Sequence, residues 1–130
     1  MKNKRGYKEA VNEKGDNMET SMAVFQGKEI RKTTYNNEWW FSIVDVCAIL
    51  TESAAAGAYW RKLKQRLREE GSEVVTFCHG LKLPAPDGKM RETDCADTEG
   101  IFRIIQSIPS PKAEPFKRWL AQVGYERVKE

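Results

Sequence analysis

The chain is poor in the residues that catalysis and metal binding usually draw on. Its 130 residues include one histidine and three cysteines, Cys47, Cys78 and Cys95. An odd, scattered set of cysteines with no apolar signal segment ahead of it fits reduced thiols in a cytoplasmic protein, not a disulfide framework. Cys78-His79 with Cys95 is the one grouping with zinc-ligand chemistry. Zinc sites present close ligand pairs such as C-x-x-C, and none is here, so packing is the simpler role. Cys47, inside VDVCAIL, reads as a small buried apolar residue. The single histidine has no serine or cysteine arrangement that suggests a nucleophile and its base, and no glycine-rich phosphate loop is present. Pro86-Asp87 would open a metal-nuclease motif, but no Asp-x-Lys or Glu-x-Lys follows it. The sequence therefore predicts no enzyme, no metal and no cofactor. It also lacks any apolar run near the roughly 18 to 20 residues that a membrane span needs, so a soluble protein is expected.

What is present suits one globular domain. Hydrophobic residues make up 40% of the chain, with four Trp, five Phe and four Tyr, enough bulk for one core. The net charge of +3 is mild, so only the local distribution of charge can point to a polyanion. Residues 1–21 mix both signs with almost no apolar periodicity and are expected to form a disordered leader, with the domain spanning 22–130. Strands are predicted at about 23–26, 29–35 and 38–42, separated by the turn chemistry of Gln26-Gly27-Lys28 and Asn36-Asn37. Ser42-Ile43-Val44-Asp45 has the form of a capping box, so a short helix should run from Ile43 to about Leu50. After Thr51-Glu52-Ser53 a longer helix is expected from about Ala54 to Glu70, stopped by Gly71. Two helices joined by so short a break have helix-turn-helix spacing.

The segment SEVVTFCHGLKLPAPDGKMRETDCAD reads as a second β region, a long hairpin bent at Pro84-Ala85-Pro86-Asp87-Gly88. Ile101, Ile104, Ile105 and Ile108 then recur at helical spacing up to Pro109. Ser110-Pro111 supplies a cap and a first-turn proline for a last helix with the apolar stripe Phe116, Trp119, Leu120 and Val123. The fold class is α+β: an N-terminal three-stranded antiparallel region, a central hairpin and about four helices.

The most informative stretch is AYWRKLKQRLREEG, with five basic residues from Arg61 to Arg68 and no acid among them. At 100° per residue Trp60, Leu63 and Leu67 share one face, while Arg61, Lys62, Gln65 and Arg68 take the opposite one. Trp60 should anchor the helix, leaving Arg and Lys to meet phosphates and Arg or Gln to reach base edges. A solvated face is the bland alternative, but solvated helices normally mix signs to gain i,i+4 pairs. Lys82, Lys89 and Arg91 flank the tip of the hairpin and suit a basic wing beside the helix. The aromatics Trp39, Trp40, Phe41, Phe116 and Trp119 sit in apolar strands or stripes, so core packing is their expected role rather than base stacking.

The segment from Met22 to about Tyr125 resembles a Bro-N domain, the N-terminal module of phage antirepressors and related viral and prophage proteins. The resemblance rests on EWWFSIVDVCAIL, on the basic YWRKLKQRL helix, on DGKMRETDCADTEGIFRII, and on SPKAEPFKRWL, which is similar to a closing Ala-x-x-Phe-x-x-Trp-Leu helix. The family is regarded as DNA-binding and related to the KilA-N type of domain. The resemblance thus implies duplex DNA as partner and assigns Arg61, Lys62, Lys64, Gln65, Arg66 and Arg68 to it, with Lys82, Lys89 and Arg91 as the wing. A homodimer is compatible with that reading. The rival is a protein-interaction module that sequesters a repressor, its basic face meeting an acidic partner.

Overall fold

The computed structural model describes residues 8–11 and 17–126. Two tight turns organise the first half of the fold. Gln26 and Gly27, then Asn36 and Asn37, all take positive φ, the backbone of the two-residue turns that match the twist of flanking strands. They join β2 (Asn17–Phe25), β3 (Lys28–Tyr35) and β4 (Glu38–Ser42) into an antiparallel meander. β2 is much longer than the predicted strand. Its residues 17–20 pair with β1 (Lys8–Val11), and Thr20 and Ser21 are buried. Part of the expected leader thus belongs to the sheet; the rest lies outside the described residues.

The two predicted β regions are parts of one sheet. The hairpin of β5 (His79–Pro84) and β6 (Met90–Asp97) joins the meander through Trp40↔Asp97, Phe41↔Ala96 and Ser42↔Cys95, giving the order β1-β2-β3-β4-β6-β5. Sequence periodicity marks strands but carries nothing about such non-local pairing. Residues 73–77, expected in a strand, form a 3-10 helix capped by Ser72, whose Oγ accepts from Val74 N.

Alternation along the strands divides the core into two parts. Phe25, Ile30, Trp39, Phe41 and Ala96 face the helices and form the main core with them, while Trp40, Leu81, Leu83 and Cys95 form a smaller cluster on the other side, joined by Tyr35. The described helices are α1 (Ile43–Thr51), α2 (Ala56–Glu69), α3 (Thr98–Ile105) and α4 (Ala113–Val123).

α1 starts as predicted on Ser42, whose Oγ accepts from Asp45 N. The return half of the capping box is not made. The Asp45 carboxylate instead accepts from Arg31 N, Nε and Nη2, each at 2.9 Å, while Arg31 Nη1 donates to Pro84 O at 2.9 Å. One arginine therefore ties β3, the start of α1 and the hairpin together, and its guanidinium is held above its ordinary pKa chiefly by the bond to Asp45.

α1 and α2 meet at 106°, the angle of a helix-turn-helix pair. The turn needs one left-handed residue, which here is Glu52 (φ 56°) where a glycine is common. α2 starts two residues later than predicted, without a side-chain cap on Ala55. Its end is fixed by Gly71 (φ 75°): Gly71 N donates to Arg68 O and Ser72 N to Leu67 O, both bonds of a Schellman motif.

α3 begins three residues ahead of its isoleucine stripe because Asp97 caps it, its carboxylate accepting from Gly100 N at 2.9 Å. Ser110 Oγ accepts from Lys112 N and shapes the approach to α4, which itself starts only at Ala113. In α4, Phe116 and Leu120 are buried, whereas Trp119 is half-buried and packs its ring against Phe25 and Phe116.

Candidate nucleic-acid interface

The amphipathic reading of α2 holds: Trp60, Leu63 and Leu67 are buried in the main core, and Arg61, Lys62, Gln65, Arg66 and Arg68 are exposed. The structure gives these polar residues unequal parts. Lys64 is half-buried and bonded to Asp94 on β6, with Nζ 2.9 Å from Oδ2. The same oxygen accepts from Trp60 Nε1 at 2.8 Å. Burial disfavours charge on Asp94, but the bonds from Lys64 and Trp60 outweigh it and hold the carboxyl below its ordinary pKa. Lys64 is thus a strut between α2 and the sheet, with its charge cancelled. Its acid stands 30 positions away in sequence, so no local pattern announces it.

Gln65 donates to Glu69 Oε2 at 3.2 Å, and Arg66 faces Glu70 at 3.8 Å. Arg66 Nη2 also lies 3.5 Å from Ser107 O, on the side of the α3–α4 connection. Arg61, Lys62 and Arg68 have no ion pair among the described residues. Arg61 and Arg68 are placed three before and four after Lys64, so helical geometry sets them on the flank that Lys64 turns toward β6. Lys62 belongs to the other flank, with Arg66.

The wing residues divide in the same way. Cross-strand partners share a face of the sheet, and Lys82↔Glu92 follows Gly80↔Asp94 on the face that carries α2. Lys82 is exposed and has no ion pair among the described residues. Arg91 pairs with Leu83 of the smaller cluster, so it lies on the face away from α2, and its guanidinium is bonded to Asp87. Lys89 is exposed in the turn. Of the nine positions assigned from sequence, Arg61, Arg68 and Lys82 share one side of the molecule and keep free charges there. Lys62 is free on the opposite flank, Lys64, Gln65, Arg66 and Arg91 have partners within the chain, and Lys89 stands at the hairpin tip.

The thiols have the environment of packing residues. Burial pushes Cys47 and Cys95 up to about 12 and Cys78 up to about 11. Among the described residues, no group of three or more His, Cys, Asp or Glu side chains is arranged to hold a metal ion, and no single helix is long and apolar enough to cross a membrane.

Comparison with known proteins brings no match among curated proteins and none among solved structures. A family model does match, over residues 29–125, which takes in β3 to α4 and therefore the α1–α2 pair, the hairpin and both closing helices. The chain belongs to the BRO family and carries its N-terminal domain.

Proposed function

We propose that this chain is the DNA-binding domain of a phage antirepressor-type regulator, and that it meets duplex DNA with the hairpin-side flank of α2. The observation that carries the reading is the placement of Arg61, Arg68 and Lys82, three exposed cations with no ion pair among the described residues, on one side of a helix pair joined at 106°. Around them the other cations are largely occupied: Lys64 by Asp94, Arg66 by Glu70 and Arg91 by Asp87. A strip of free guanidinium and ammonium groups beside an anchored helix suits phosphate contact, with Gln65 at the crest of α2 in reach of a base edge.

The test is titration of the purified chain against a random duplex over a range of salt. Arg61, Arg68 and Lys82 replaced together by Gln should flatten the log–log salt slope by about 0.9 for each phosphate that is no longer neutralised. A control replacing Lys2, Lys4 and Lys14 changes the net charge equally and should change the slope far less. Equal losses from the two triple variants would sink the proposed interface and leave the basic flank to an acidic protein surface.

A further inference from the structure

The proposed interface contains an acid that no cation neutralises. Glu92 is on β6, two residues before Asp94, and alternation puts both carboxylates on the α2 face of the sheet. Asp94 is occupied by Trp60 and Lys64. Glu92 is exposed and has neither hydrogen bond nor ion pair among the described residues. Its cross-strand partner is Lys82, the obvious counter-charge, and the two do not pair.

The Glu92 side chain lies instead across Gly80. A Cβ at position 80 would stand 2.8 Å from Glu92 Cδ and would collide with its carboxylate oxygen Oε2. Gly80 is not among the glycines with positive φ, so its backbone does not demand glycine. The missing side chain leaves room for the Glu92 carboxylate over β5. That space adjoins Asp94, which holds α2 and pairs with Gly80, and Lys82, which stands two residues along β5 on the same face.

A free carboxylate there repels a phosphate, so a nucleic-acid backbone does not run over it. The exocyclic amino groups of cytosine and adenine are donors, and a carboxylate accepts from them on the major-groove edge. On the DNA-binding reading above, we infer that Glu92 is a specificity-determining residue: it accepts from an exocyclic amino group of a base and penalises registers that bring phosphate to it.

The experiment compares the wild type, Glu92→Gln, and Glu38→Gln, which removes the same charge from an exposed position at the start of β4. Each is titrated against a random duplex and against the best site that the wild type selects from a randomised duplex pool. Because Glu92 is exposed, the variant should melt with the wild type. It should bind random duplex more tightly than Glu38→Gln does, and lose about tenfold of the preference for the selected site, within the range that one base pair commands. If the wild type selects a site and Glu92→Gln keeps the full preference, or gains no affinity for random duplex over Glu38→Gln, this inference fails while the DNA reading stands. A wild type that selects no preferred site also overturns it. If the wild type shows no salt-dependent duplex binding at all, the DNA reading fails and the role of Glu92 fails with it.

Discussion

Asp94 is the point at which removing one side chain should tell most about how α2 is held. It accepts from a buried indole at 2.8 Å and from a half-buried ammonium at 2.9 Å, and its own side chain is 31% exposed. Asp94→Ala leaves the Trp60 N–H without an acceptor, at a cost of about 1–3 kcal/mol. The partly exposed pair with Lys64 adds about 1 kcal/mol. A loss of roughly 2–4 kcal/mol follows, which in a small domain lowers the melting temperature by roughly 10–20 °C. Asp94→Asn keeps an acceptor for the indole and loses only the charge, so it should cost about 1 kcal/mol.

The pH dependence has a definite sign. The folded-state pKa of Asp94 is depressed, so its contribution is complete above the unfolded value, about 3.9, and is lost as pH falls through the folded value. The gap between wild type and Asp94→Asn should therefore be full at neutral pH and close in acid below about pH 4. Calorimetry of the three proteins from neutral to acid pH measures all of this. An Asp94→Ala protein within about 0.5 kcal/mol of wild type, or an Asn variant as damaged as the Ala variant, would refute the view that this node fixes α2.

Three further outcomes are open to measurement. Asp45→Ala strips Arg31 of its bidentate partner in a pair whose side chains are 20% and 17% exposed, and should cost about 3 kcal/mol by urea unfolding; a shift under about 1 kcal/mol would mean that Arg31 finds other acceptors. Gly71→Ala forces a side chain into φ 75° with open space around it, so the loss of about 1–2 kcal/mol is purely conformational, and no loss would show that α2 can end differently. Removal of residues 1–21 takes away β1 and the part of β2 that holds the buried Thr20 and Ser21; its melting temperature should fall, and an unchanged value would show that this edge adds nothing to stability.

Much of the fold is legible in the sequence because it follows from local chemistry. Asn36-Asn37 allows only a few turn geometries, Ser42 announces a cap, and the isoleucine spacing marks α3, although the helix ends at Ile105 and not at Pro109, with Ile108 buried beyond its end. What stays hidden depends on partners distant in sequence. Nothing near Phe41 says that it pairs with Ala96, and nothing near Asp45 says that its carboxylate belongs to Arg31. The start of β2 is hidden for another reason: residues 17–21 hold one apolar side chain, Met18, and so show no strand period, while residues 17–19 are placed in the sheet by pairing with β1 and not with β3. In the candidate site, exposure is legible from the helical period, but availability is not. Lys64 and Arg68 look alike in YWRKLKQRLRE, and only the position of Asp94 separates the bonded strut from Arg68, which acts on the same carboxylate without bonding to it.

That separation changes what the run of cations means. Five basic residues without an acid suggest a uniformly charged face, yet Lys64 is consumed in fixing the helix and Arg66 is directed to Glu70 and Ser107. On the hairpin side the free charges of α2 reduce to Arg61 and Arg68, seven residues apart. At 1.5 Å per residue their Cα atoms are separated by about 10.5 Å along the helix axis. The major groove is about 12 Å wide, so on the proposed reading these two guanidinium groups can address phosphates on its opposite banks, with Gln65 between them over the base edges. The strut supports this arrangement. Because Trp60 and Lys64 both bind one oxygen of Asp94, the roll of α2 about its axis is set by the sheet, and with it the side on which Arg61 and Arg68 emerge.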